Sequence, residues 1–269
     1  MKLIMTCQLL KGRDFQDDLR YSIIASAFWR RLYPNYEVFL ATNRDSPIPS
    51  SYEKQIRVIR FPFEKFPSAL SRQRFMRDFA NSDMFDSDTI FTGHDVVFTQ
   101  RLPSFEGKAV TNYRYHPSQP YCSDFVILKY SEKQYCSSLM SEIVATFEWM
   151  PREILTGAGD QLSWALTLGK PEDAAFNGAP FFAPRRPDVF IVPAEKYLFT
   201  PNDFFPSRYE SFGSVDKAPF DYDLAFVEKF AIHFKGNRKQ EMFKFAKWAY
   251  ENRLIPDLDI VSPKELFKH

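Results

Sequence analysis

The sequence predicts an α/β fold built on a mostly parallel sheet flanked by helices. Across the first hundred residues, short apolar runs alternate with segments whose apolar residues recur at helical spacing. The run Thr89-Ile90-Phe91-Thr92 leads straight into Gly93-His94-Asp95, and a second apolar run, Val96-Val97-Phe98, follows at once. Far downstream, Ala231-Ile232-His233-Phe234 reads as a short strand that delivers a histidine just before Lys235, Gly236, Arg238 and Lys239. Active sites of open α/β sheets sit at the ends of such strands.

Taken in order, Met1 to Gln8 reads as a buried strand, too short an apolar run for a secretory signal. Asp17 to Leu32 follows as a helix, with Leu19, Ile23, Ile24, Ala27, Phe28 and Leu32 on its apolar face and Asp17 and Asp18 near its start; Pro34-Asn35 ends it. Glu37 to Thr42 is the second strand, Asn43-Arg44-Asp45 a turn, and Ile56 to Phe61 the third strand. Leu70 to Ala80 is a basic helix carrying Arg72, Arg74 and Arg77, and it leads to the strand ending at Gly93. Beyond Phe98 the pattern loosens. Strands are expected over 109–115, 125–130 and 189–193, helices over 132–147, 160–167 and 240–252, and an irregular proline-rich stretch over 174–188. With no repeat and no low-complexity linker, a single domain over 1–269 is expected, with a first half at 1–98, a second at 99–248 and a C-terminal tail at 249–269.

Composition narrows the function classes. Hydrophobic residues make up 45% and charged residues 26%, the balance of a globular chain. Phe is abundant, at 29 residues, so the core is aromatic-rich; Gly is scarce, at 9, which argues against Gly-rich phosphate loops. A net charge of +1 gives no global field toward nucleic acid. Cys7, Cys122 and Cys136 fit neither a disulfide framework nor a zinc knuckle and read as reduced thiols, so a cytoplasmic location is expected. Gly-x-Ser-x-Gly, Gly-Lys-Ser/Thr and His-Glu-x-x-His signatures are missing.

A carboxylate at the end of a buried strand is costly unless something pairs with it, and a divalent cation is one such partner for Asp95. One carboxylate, one imidazole (His233) and a cationic loop suit a cation–diphosphate site. Asp160, after Gly159 and before an apolar helix, also suits a helix N-cap. Asp86-Ser87-Asp88 precedes its strand and reads as a solvated turn. The segment 238–248 interleaves Lys and Arg with Phe and Trp248; it packs as an amphipathic helix or makes a peripheral membrane contact.

The order of these features resembles the GT-A (Rossmann-like) class of nucleotide-sugar glycosyltransferases, in particular its family-8-like retaining enzymes. Gly93-His94-Asp95 stands where that pattern has Asp-x-Asp, Cys122-Ser123-Asp124-Phe125 at its small-residue strand, and Gly159-Asp160-Gln161 at its Asp-Gln turn. Val192-Pro193-Ala194-Glu195-Lys196-Tyr197 resembles its Leu-Pro segment, and His233-x-x-Gly236-x-x-Lys239 its terminal His-x-x-Gly-x-x-Lys motif. The resemblance spans roughly residues 1 to 248 and implies transfer of a sugar from a nucleotide diphosphate sugar, UDP-linked, to a glycan, lipid-linked or other hydroxyl acceptor.

It further implies that Asp95 and His233 hold Mn2+ or Mg2+, that Lys239 and the Gly236 amide meet the diphosphate, and that Thr6, Gln8, Asn43 and Asp45 hold the uridine. Of the three arginines on the basic helix, Arg74 is the choice for the diphosphate, with Arg77 in reserve. Asp160 and Gln161 would sit beside the transferred sugar, and Asp124 is a further candidate near the anomeric carbon. Tyr113, Tyr115, Trp164, Phe204 and Phe205 could line the acceptor pocket. The first Asp of Asp-x-Asp is Gly93 here, so the site loses one carboxylate; His94 could partly substitute, or cation binding is weak or lost. A catalytically silent nucleotide- or glycan-binding domain, and a glycosyltransferase acting on modified DNA bases, are the alternative readings.

Overall fold

A computed structural model describes residues 1–7, 15–64, 68–114, 120–151, 159–169, 186–201, 220–234 and 239–256. In chain order the elements are β1 (Lys2–Cys7), α1 (Phe15–Leu32), β2 (Glu37–Asn43), α2 (Ser50–Glu53), β3 (Arg57–Phe61), α3 (Ser68–Ala80), β4 (Thr89–Gly93), β5 (Val96–Phe98), β6 (Ala109–Tyr113) and β7 (Tyr121–Leu128). There follow α4 (Lys133–Trp149), α5 (Gly159–Leu168), β8 (Val189–Pro193), α6 (Ala194–Tyr197), α7 (Tyr222–Glu228), β9 (Ala231–His233) and α8 (Lys239–Glu251).

Seven strands form one sheet in the order β3-β2-β1-β4-β7-β6-β8. The β3-β2-β1-β4 half is parallel, as the strand–helix alternation of the sequence requires, and β8 runs parallel to β6. Among the described strands of this sheet, β7 alone is antiparallel to both its neighbours. Side chains alternate across each central strand and feed two cores. Leu3, Met5, Ile90, Phe125 and Ile127 face the layer containing α1 and α8, while Ile4, Phe91, Val126 and Leu128 face the layer of α3, α4 and α5. Strands buried on both faces read as continuous apolar runs, and β1 and β4 are buried at every position. The edge strand β3 carries exposed Arg57 and Arg60.

One boundary departs from the sequence reading with a consequence for the site. β7 begins at Tyr121, four residues earlier than expected, so Ser123 and Asp124 lie within the strand. The β4 register ends at Thr92–Phe125 and β6 shifts register before Tyr113–Tyr121; between them Asn112 Nδ2 donates to the Cys122 and Phe125 carbonyls. The final helix, Lys239–Glu251, falls within a residue of the 240–252 expected. Its Met242, Phe243, Phe245 and Ala246 are buried, with Phe243 against Tyr21 and Phe245 stacked on Phe28 at centroid distances of 4.6 and 5.5 Å. The core takes up the helix's apolar face, as the packed-helix reading expects, and Lys244 and Lys247 are exposed. No helix among the described residues is long and apolar enough to cross a membrane.

Candidate active site

Strand register places the chemistry at one edge of the sheet. Thr6 of β1 pairs with Gly93 of β4 and with Ala41 of β2, so Thr6, Gly93 and Asn43 end together at the carboxyl edge. Because β7 is antiparallel, its amino end arrives at that edge: Thr92 pairs with Phe125, which sets Asp124 beside Gly93. β5 and β9 form a separate two-stranded ladder in which Val96 pairs with His233, and the Phe234 amide donates to the Asp95 carbonyl at 2.9 Å. This ladder joins residues more than a hundred positions apart and delivers the imidazole to the carboxylate.

His233 Nε2 lies 3.5 Å from Asp95 Oδ1 and 3.6 Å from Asp124 Oδ2. The imidazole and the Asp95 side chain are buried, at 2% and 7% residue exposure. Burial alone would lower the pKa of His233, but Asp124 and Asp95 outweigh it and raise the group to about 10. For Asp95, burial pushes the pKa up while His233, His94 and Lys239 hold it well below the usual carboxylate range. Lys239 Nζ stands 3.4 Å from Asp95 Oδ2, 3.4 Å from Asp18 Oδ1 and 2.9 Å from His94 Nε2.

His94 does not point at Asp124 or His233. Its Nδ1 lies 3.2 Å from the Thr6 carbonyl and its Nε2 lies 2.9 Å from Asp18 Oδ1, so the ring ties β1 to the first turn of α1. Nε2 can donate to Asp18 or accept from Lys239, according to its tautomer. Cys7, Asp18 and His94 bring ligand atoms within 4.8 Å of one another. The Lys239 ammonium already supplies positive charge there.

On the opposite side Arg72 Nη1 lies 2.5 Å from Asp124 Oδ1, and its Nη2 donates to the Ser123 carbonyl at 2.5 Å. Burial would lower the Arg72 pKa, yet Asp124 and Asp160 raise it above the ordinary arginine value. The Ser123 hydroxyl donates to Asp160 Oδ2 at 2.7 Å, and Gln161 Oε1 accepts from Arg114 at 2.7 Å. Asp18, His94, Lys239, Asp95, His233, Asp124, Arg72, Ser123 and Asp160 therefore form a continuous polar chain.

The remaining sequence candidates sort by placement. Arg74 pairs with Glu64 and Glu148 at the surface and Arg77 with Asp78, so Arg72 replaces both as the arginine that reaches the site. One helical residue turns the side chain by roughly 100°, so the three cannot share a direction, and packing against β7 selects Arg72. The Thr6 hydroxyl donates to the Thr92 carbonyl within the sheet. Asn43 Nδ2 donates to the Phe63 carbonyl, and Asp45 is exposed in the turn beyond β2. Trp164 is buried in the core at 1% exposure, which removes it from an acceptor pocket. Gln8, Gly236, Tyr115, Phe204, Phe205 and positions 174–185 lie outside the described residues.

Sequence reasoning missed Asp18, Ser123 and Arg114. Asp18 reads as a helix-start carboxylate, but it shares a helical row with the small polar residues Ser22 and Ser26, a buried polar stripe that marks it. Ser123 and Arg114 carry no comparable signal.

Among solved structures the chain is similar to the glycosyltransferase GlyE of Streptococcus pneumoniae TIGR4, with a TM-score of 0.56 and 10% identity over 95% of this chain and 64% of that one. The apo form of GlyE gives 0.57 and 11%, over 96% and 61%. The apo structure of WbbM, a bifunctional glycosyltransferase, gives 0.54 and 10%, over 94% and 51%. The chain thus spans less than two thirds of the length of these neighbours. No protein-family model and no curated protein matches it. At such identities the likeness speaks for the fold, which is α/β and GT-A-like.

Proposed function

We propose that the chain is a glycosyltransferase that moves a sugar from a nucleotide diphosphate sugar, UDP-linked, to the hydroxyl of a glycan or lipid-linked acceptor, with retained anomeric configuration. The observation that carries this reading is the meeting of Asp95 and His233 at the carboxyl edge of the sheet, with Lys239 at 3.4 Å from Asp95. The similarity in fold to GlyE and WbbM, both glycosyltransferases by name, supports the same class of activity.

A divalent cation fits the donor set. Carboxylate oxygens and an imidazole suit Mn2+ or Mg2+, and the 3.5 Å between Asp95 Oδ1 and His233 Nε2 is close to the ~3 Å spacing of adjacent ligands on an ion bound at about 2.1 Å. Such a cation, when bound, supplies positive charge to the leaving diphosphate. Lys239 adds a second, fixed positive charge at the same point, in a buried setting where preorganised charge counts most. Asp160 and Gln161, held by Ser123 and Arg114, position the sugar hydroxyls, and Arg72 holds the strand end that carries Asp124.

A thermal-shift panel of nucleotide sugars with and without Mn2+ tests the reading, since a ligand of the native state raises Tm. UDP-sugars are expected to raise Tm only with the metal, and Mn2+-dependent hydrolysis of UDP-sugar is expected to accompany it. No shift with any nucleotide sugar sinks it. Gly93 favours a second reading, a silent domain that binds nucleotide or glycan; it predicts the Tm shift without hydrolysis.

A further inference from the structure

We infer that Asp124 is a ligand of the divalent cation, supplying from β7 the second carboxylate that Gly93 cannot carry at the end of β4. The inference rests on the reading of Asp95 and His233 as cation ligands.

Position is the first argument. A Cβ built on Gly93 would lie 2.6 Å from Asp95 Oδ1 and 2.8 Å from Asp124 Oδ1. The two carboxylates thus occupy the volume that a side chain at 93 would fill. Gly93 is the residue that lets a carboxylate from the neighbouring strand lean over the strand end. Neighbouring carboxylates at a strand end favour a cation bound between them.

Spacing is the second. His233 Nε2 is nearly equidistant from the two side chains, at 3.5 and 3.6 Å, so one imidazole is within reach of both carboxylates. Charge is the third. Asp18, Asp95, Asp124 and Asp160 are four carboxylates in the polar chain, matched by the permanent cations Arg72 and Lys239. These four carboxylates outnumber those two cations, so added positive charge is favourable there. Oxygen ligands with one imidazole favour Mn2+ or Mg2+. Cys122 Sγ lies 3.4 Å from Asp124 Oδ2, and with Asp124 and His233 it offers a softer donor set that would instead select Zn2+.

The test is Mn2+ titration of the EDTA-treated full chain, followed by loss of the free-ion EPR signal and by Tm. Asp124→Asn is expected to weaken Mn2+ binding about a hundredfold, at the upper end of what losing a residue behind a ligand costs. Cys122→Ser is expected to stay within about threefold of the parent, well short of a lost ligand. The double variant G93D/D124A, which returns the carboxylate to β4, is expected to bind Mn2+ at least about tenfold more tightly than D124A. A purely structural Asp124 would give no such recovery. If D124N binds Mn2+ like the parent while Asp95→Asn loses it, the role of Asp124 is overturned and the Asp95–His233 reading stands. If the parent itself binds no Mn2+, the underlying reading falls. Tight Zn2+ binding lost in both D124N and C122S overturns the assignment in favour of the thiol set. Should D124N not melt cooperatively, the double variant R72M/D124N, which removes the carboxylate's charge together with its arginine partner, is read in its place, and Mn2+ affinity like the parent's overturns the proposal.

Discussion

Lys239 Nζ is placed within 3.4 Å of Asp95 and within 2.9 Å of His94 Nε2, so its charge is held at the site before any substrate arrives. If the proposed reaction is the one catalysed, replacing Lys239 by Met is expected to lower kcat for sugar transfer about a hundredfold, the scale of losing one preorganised group that stabilises developing negative charge. KM should change less, and steady-state kinetics separate the two. His233 makes a prediction about stability. Its pKa is raised to about 10 in the folded chain against about 6.5 unfolded. A raised pKa means that the native state holds the proton more tightly, so this contribution is fully present below about pH 6.5 and is lost as pH rises through 10. Melts of the metal-free protein across that window should show Tm falling with pH, and His233→Gln should flatten the fall. A parallel decline in the variant would remove His233 as its cause. Asp18 shows why part of the site escaped sequence reading: Asp17, its neighbour, pairs locally with Arg20, and only helix packing turns Asp18 toward His94.

Helices α3 and α5 show how an element's packing, more than its composition, defines its part in the site. On α3, Arg72→Met removes the partner of Asp124 in a setting where both side chains are largely shielded, so a loss of about 3 kcal/mol or more is expected. Arg74→Met cuts exposed pairs with Glu64 and Glu148 and should stay within about 0.5 kcal/mol. Chemical denaturation of the two variants decides this, and equal losses would refute the placement of Arg72. On α5, a Cβ at Gly159 would come within 2.8 Å of the buried Phe147 ring. Gly159→Ala should therefore destabilise by about 1–3 kcal/mol through overpacking, despite the better helix propensity of Ala. The Gly159-Asp160-Gln161 turn was legible in the sequence as a helix start. That its glycine is required by α4 was not, because the ring it meets is distant in sequence.

The molecule closes on itself through β9 and α8. β9 seals the β5 strand and brings His233 to Asp95, while α8 buries Phe243 and Phe245 against α1. A chain ending at residue 230 loses both, exposing Tyr21, Phe28 and Phe98, and is expected to show no cooperative thermal transition by calorimetry. A sharp melt near that of the full chain would mean that the first 230 residues fold alone.

Local pattern in the amino-acid sequence was sufficient for the α/β class, the parallel half-sheet, most element positions and the meeting edge of β1, β2 and β4. These follow from side-chain period and strand–helix alternation, which are properties of neighbouring residues. Tertiary structure alone decided that β7 runs antiparallel and so sets Asp124 over Gly93, that Arg72 and not Arg74 faces the site, and that Asp18 joins His94 and Lys239. Those facts depend on register and on the rotation of packed helices. Both are set by contacts between segments far apart along the chain, which no local periodicity records.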